Sequence, residues 1–312
     1  MLTTLITRNS ASKCFGGEVS FNEIQSAACN TKMRFSVFMP PQSGTPDTTD
    51  TTDTSDTASA TSPTSKASKT PAVFFLSGLT CTEENFMIKA GAQRIAAQLG
   101  LALIVPDTSP RESRVPGDDA TWDLGLGAGF YLDATESPWA PHYQMGTFVA
   151  QELPDAVAAH FPVDPERFGI MGHSMGGHGA IVNCLRNPDR FKSCSALAPI
   201  SAPSSCPWGR KAFRAYFGEN PQAWRAWDSC ELIQDASLRG KNSKKIPILV
   251  DQGDADPWLQ QLRPDLLAEA ANKSNWPITM HMRAGYDHGY YFVASFIEDH
   301  LKHHARQLGL AF

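Results

Sequence analysis

Three side chains in the right order along the chain can carry nucleophilic acyl chemistry: a serine between glycines, an aspartate after a later strand, and a histidine near the end. The serine is Ser174, in Gly172-His173-Ser174-Met175-Gly176. Residues 168–171 before it read as a short buried strand. Residues 175–187 after it read as a helix that stops before Pro188. A G-x-S-x-G pattern at a strand-turn-helix junction is a nucleophile elbow. The turn is so tight that the serine takes strained dihedrals, and a side chain at 172 or 176 would strike neighbouring backbone. Gly177 and Gly179 let the helix begin close to the sheet. Its N-terminus then offers free N–H groups and the positive end of its dipole to a developing oxyanion. The five-residue pattern alone is common; its flanks separate it from a glycine-rich packing turn.

An elbow serine needs a base and an acid, which follow it in the order acid, then histidine, each on a loop after a strand. Asp251, Asp254 and Asp256 compete for the acid. Asp251 lies at the strand edge, where an aspartate also serves to bond turn backbone. The G-x-x-D spacing from Gly253 favours Asp256. His288 lies after the last strand and before the final helix, which suits a base that takes the Ser174 proton and returns it to the leaving group. His173 and His178 flank the serine and read as elbow supports. His281 reads as a packed core residue, and His160, His300, His303 and His304 as solvated helix positions. His142, on a long loop, is a candidate pocket residue. The oxyanion needs two N–H groups. Met175 follows the nucleophile and supplies one; Leu79, on the loop after an earlier strand, is the candidate for the second. Cys81, two residues on, falls near the pocket if that loop is the oxyanion loop, although a free cysteine is more commonly a small packing residue.

The elements that must position these residues alternate. Residues 71–76, 101–107, 195–199, 246–250 and 279–282 read as strands. Residues 86–99, 148–161, 262–273 and 290–307 read as helices. Such alternation implies a mostly parallel central sheet with helices on both faces. Residues 15–40 look like an antiparallel start. Residues 108–146 form a long glycine-rich and aromatic stretch, and 200–240 a tryptophan-rich excursion. Of the 29 residues from 42 to 70, 20 are Thr, Ser or Asp, and none is a large apolar residue. That stretch cannot bury enough surface to offset chain entropy, so it reads as a disordered insertion within one domain spanning 1–312.

The 312 residues suffice for one large domain, with 42% hydrophobic and 19% charged residues. A net charge of −5 gives no electrostatic case for nucleic acid or an anionic membrane. No apolar run approaches the roughly 20 residues a membrane span needs, and no secretory signal is read at the N-terminus. The seven cysteines show no metal-ligand spacing and read as reduced thiols.

Longer motifs add to this. Leu76-Ser77-Gly78-Leu79-Thr80-Cys81-Thr82, Gly125-Leu126-Gly127-Ala128-Gly129-Phe130-Tyr131, Gly172 through Ala180, Cys206-Pro207-Trp208-Gly209 with Lys211-Ala212-Phe213, and Gly285-Tyr286-Asp287-His288 occur in one order. Together they resemble the S-formylglutathione hydrolase (esterase D) family of the α/β-hydrolase superfamily, over roughly residues 10–308 with a break at 42–70. The resemblance implies a thioesterase that releases formate and glutathione, with side activity on carboxylesters. It implies Ser174, Asp256 and His288 as the triad, Leu79 and Met175 as oxyanion donors, and Cys81 and Trp208 near the pocket. It further implies a small-molecule substrate, no cofactor, a cytoplasmic location and a homodimer in many members. Trp258 and Gly289 depart from the family pattern, which has Phe and Ser there. The rival readings are a broad carboxylesterase on the same fold and a catalytically inactive binding module.

Overall fold

The computed structural model describes residues 5–41, 69–241 and 243–312. Nine strands form one sheet: β1 (Ile6–Cys14), β2 (Gly17–Ser26), β3 (Thr31–Met39), β4 (Thr70–Leu76), β5 (Ala102–Pro106), β6 (Val163–His173), β7 (Phe191–Leu197), β8 (Ile248–Gly253) and β9 (Ile278–Arg283). Their order is β1-β2-β3-β5-β4-β6-β7-β8-β9. The first three pair antiparallel, as does β3 with β5; every other pairing is parallel. β4 and β5 are buried along their whole lengths, as continuous apolar runs covered on both faces must be. Phe74 of β4 packs edge-on against Phe168 and Phe191, with ring centroids 5.2 and 5.8 Å away, which joins β4, β6 and β7 across the centre.

Parallel pairing places the C-terminal ends of β4 to β9 on one side, and the loops that follow them gather there, where open α/β sheets bind ligands. The long stretch after β5 is pinned over these loops. Tyr131 Oη donates to the Ser77 carbonyl at 2.8 Å, Thr80 N–H to the Gly127 carbonyl at 2.9 Å, and Tyr216 Oη to the Ala128 carbonyl at 2.8 Å. Tyr216 belongs to helix Pro207–Phe217, so the tryptophan-rich excursion braces the stretch from outside.

Several expectations change. Thr70 is not part of the polar insertion; it is buried and opens β4. Residues 42–68 lie outside the described residues. β1 carried no apolar alternation because its seven central residues are all exposed; it is held through its ladder to β2. His300 and His304 are fully buried rather than solvated. The last helix, Tyr290–Gln307, lays them against the sheet, where His304 bridges Ser193 Oγ at 2.6 Å and Ser195 Oγ at 2.9 Å on β7. His303 is part-buried, 3.0 Å from the Cys194 carbonyl. His281 is not a core residue: β9 is an edge strand, and its side chain is 44% exposed.

Candidate active site

The elbow is built as its residue types require. β6 ends at His173 and helix Met175–Arg186 begins two residues later. Between them Ser174 has φ 59° and ψ −120°, a conformation costly for any side chain and held by its surroundings. Its N–H donates to the Leu197 carbonyl, and its own carbonyl accepts from His178 and Ile200. A Cβ at Gly172 would lie 2.2 Å from the Gly176 carbonyl oxygen, and one at Gly176 1.9 Å from that of Leu76. Gly179 has a different role from the one its sequence position suggested: its absent Cβ leaves room for the Tyr131 ring.

Asp256 and His288 come together from separate loops. His288 Nδ1 lies 2.6 Å from Asp256 Oδ2. The same carboxylate accepts from Gln252 Nε2 at 3.1 Å and from Trp258 N–H at 2.8 Å. A carboxylate accepts from Nδ1 only if that nitrogen carries the proton, which leaves Nε2 free as a base. The two loops are stitched together by Ala255 N–H to the Tyr286 carbonyl and Gly285 N–H to Asp254 Oδ1. Asp254 therefore serves the loop backbone, while Asp251 belongs to another cluster. His173, adjacent to the serine, lies against His288 with ring centroids 4.5 Å apart. Burial and the neighbouring His288 hold the His173 imidazole well below its ordinary pKa, so it is a neutral wall. His178 is likewise pushed down to about 3 by burial. The Ser174 hydroxyl and His288 make no hydrogen bond in this structure; such contacts in free enzymes commonly tighten only when substrate binds.

The loop after β4 packs directly on the serine: a Cβ at Gly78 would come 3.1 Å from Ser174 Cβ. The Leu79 and Met175 N–H groups donate to no protein acceptor among the described residues. Thr80 follows with a positive φ of 68°. A clamp that sequence reasoning missed then fixes the loop. Arg111 Nη2 donates to the Cys81 carbonyl at 2.7 Å while its Nε is bound by buried Asp107 at 2.9 Å, and Thr108 Oγ1 donates to the same carbonyl. Gln252 was missed too. Arg111 reaches the Cys81 carbonyl across 30 residues, and Gln252, only four residues before Asp256, follows no spacing rule that marks it.

Cys81 is half-buried beside Tyr290; burial raises its thiol pKa, against the lowering influence of Tyr290, Lys89 and Arg111. Trp208 packs on Trp122 and Trp258 at 5.5 and 4.9 Å, next to the acid loop. His142 was expected near the pocket, but its Nδ1 lies 3.0 Å from the Cys29 carbonyl, in the turn between β2 and β3, because the long stretch folds back onto that turn. Among the described residues, no group of three or more His, Cys, Asp or Glu could hold a metal, and no helix is long and apolar enough to cross a membrane.

A mostly parallel sheet of this order with a strained serine at its centre, and an Asp-His pair on the following loops, defines a class: the serine esterases of α/β-hydrolase fold. The Esterase family model matches residues 26–303. S-formylglutathione hydrolase from Rattus norvegicus is 44% identical over 96% of this chain and 97% of its own length, and the Mus musculus enzyme matches equally. The solved structure of an S-formylglutathione hydrolase from Agrobacterium tumefaciens superimposes with a TM-score of 0.85 at 43% identity, over 97% of this chain and 100% of that one. FphF, a Staphylococcus aureus serine hydrolase, shares the fold at 18% identity and a TM-score of 0.69, over 93% and 98% of the two chains. The chain belongs to the esterase family and, within it, to the S-formylglutathione hydrolases.

Proposed function

We propose that the protein hydrolyses S-formylglutathione to glutathione and formate, with Ser174 as nucleophile, His288 as general base and acid, and Asp256 as the residue that orients His288. The observation that carries this reading is the 2.6 Å Asp256–His288 hydrogen bond, with the His288 ring lying against His173, the neighbour of the strained Ser174. Near-full-length similarity to the rat enzyme supports the choice of substrate.

Ser174 Oγ attacks the formyl carbon as His288 Nε2 takes its proton. The carbonyl oxygen becomes an oxyanion facing the Leu79 and Met175 N–H groups, and Asp256 stabilises the imidazolium. The C–S bond breaks, the thiolate leaves, and His288 returns the proton to sulfur. Water, deprotonated by the same histidine, then attacks the formyl-serine; the C–O bond to Ser174 breaks, the histidine returns the proton to Ser174 Oγ, and formate leaves. A thiolate is a good leaving group, so activation of Ser174 and stabilisation of the oxyanion are the main tasks. A Cβ at Gly78 would press on Ser174 Cβ, so glycine there lets the loop after β4 lie directly against the serine. The seven unpaired cysteines support a reducing compartment such as the cytosol.

The test compares kcat/KM for S-formylglutathione with that for p-nitrophenyl esters of acetate and octanoate. The thioester should be preferred by at least about tenfold over acetate and more over octanoate. A preference for octanoate would replace this reading with a broad carboxylesterase.

A further inference from the structure

The substrate carries carboxylates on its γ-glutamyl and glycyl ends, yet most cations around the site are already committed. Arg111 is held by Asp107, Arg283 by Asp251, Arg263 by Asp265, and Lys211 by Asp123. Lys89 differs. It is exposed, and no carboxylate among the described residues lies within ion-pair distance of it. Its ammonium instead stands 5.7 Å from the centroid of the Tyr290 ring, an arrangement that orients a cation without neutralising it. The Tyr290 ring lies 5.9 Å from that of His173, the neighbour of Ser174, so the cation borders the site. Its charge is felt at Cys81 on the oxyanion loop. Ile88 and Tyr291, the chain neighbours of this pair, are 69% and 89% exposed.

Lys89 ends the short helix Glu83–Lys89, which starts where the oxyanion loop stops. The ammonium is one aromatic ring away from the neighbour of Ser174, with Tyr290 5.7 Å from the ammonium and 5.9 Å from the His173 ring. The γ-glutamyl arm of a glutathione thioester reaches on the order of 10 Å from its sulfur, a distance that suits a contact between its carboxylate and the lysine.

Resting on the reading of Ser174 as the nucleophile of a glutathione thioesterase, we propose that Lys89 binds a substrate carboxylate and makes the enzyme favour anionic thioesters over neutral esters. Steady-state kinetics of Lys89→Met, Lys89→Glu and Lys89→Arg test this, with S-formylglutathione and p-nitrophenyl acetate at low and high salt. Lys89→Met should raise KM for S-formylglutathione about 3- to 5-fold and Lys89→Glu about tenfold, at little cost in kcat, as expected for a partly exposed ion pair. The ratio of kcat/KM between the two substrates should fall accordingly, and Lys89→Arg should restore it. Added salt should raise the wild-type KM for the thioester and lower that of Lys89→Glu. An unchanged thioester KM in Lys89→Glu, or equal losses on both substrates, would overturn the proposal. A wild type that hydrolyses p-nitrophenyl acetate but not S-formylglutathione would instead sink the substrate reading on which it rests.

Discussion

Two aspartates five positions apart on one strand end each meet a histidine, and only one pair faces the serine. Asp256 lies on the loop, 2.6 Å from His288, whose side chain is 18% exposed. Asp251 lies within β8, fully buried, 2.9 Å from both His281 Nδ1 and Arg283, with His300 Nε2 at 3.5 Å. Burial pushes the Asp251 carboxyl up, but the hydrogen bonds and charges of His300 and Arg283 outweigh it and hold the group below its usual range. Asp251 thus ties β9 and the last helix to β8. Among the described residues no lysine or arginine pairs with Asp256; it receives Gln252, Trp258 N–H and the histidine. A carboxylate beside an imidazole is therefore not a catalytic signature by itself. What distinguishes Asp256 is a neutral hydrogen-bond shell, a histidine with a free second nitrogen, and the elbow of Ser174 beside that histidine.

The sharpest way to break that comparison is to neutralise each aspartate in turn. Asp256→Asn should cut kcat by about three to four orders of magnitude with little change in melting temperature, by analogy with other triads. Asp251→Asn should keep kcat within a few-fold. It should cost about 2–4 kcal/mol in urea unfolding, because Arg283 loses its buried partner. Exchanged outcomes would make Asp251 the catalytic acid.

A smaller effect comes from Glu83, a buried carboxylate that forms no ion pair among the described residues. Burial, aided by the charge of Asp107, pushes it up to about 7, and its Oε2 has no partner among the described residues. The folded state therefore binds its proton more tightly than the unfolded chain. The stability it contributes is fully present below about 4.5 and is lost as pH rises toward about 7. Asp251 acts with the opposite sign: its contribution is present above the ordinary carboxylate range and is lost as pH falls below that range through its lowered folded pKa. Glu83→Gln should accordingly flatten the decline between pH 4.5 and 7, by on the order of 1–2 kcal/mol in pH-dependent urea titrations. An unaltered slope would show that Glu83 stays ionised in the fold.

The same contrast explains what was legible in the sequence. The elbow is local: five consecutive residues encode the turn, and each glycine answers a backbone contact a few ångströms away. Asp256 and His288 follow from chain order, because each sits on a loop after a strand. Asp251 was recognisable as a rival, but not its partners, since His281, Arg283 and His300 meet it only through sheet pairing and helix docking. His300 and His304 looked solvated for the same reason: a polar residue on a helix shows nothing of the serines or aspartate that the sheet places opposite it. The Arg111–Asp107 clamp on Cys81 was invisible, being a contact across 30 residues with no spacing rule. Lys89 stood in plain view, but its lack of a carboxylate partner is a property of three dimensions.

The central claim is that Ser174 is the one residue acylated during turnover. A fluorophosphonate tests this most directly, since phosphorus is captured by an activated serine oxygen as fluoride leaves. Peptide mass spectrometry should find one adduct, on the peptide containing Ser174. Labelling should be abolished in Ser174→Ala and slowed at least about a thousandfold in Asp256→Asn. An adduct on another residue, or undiminished labelling of Ser174→Ala, would contradict the account.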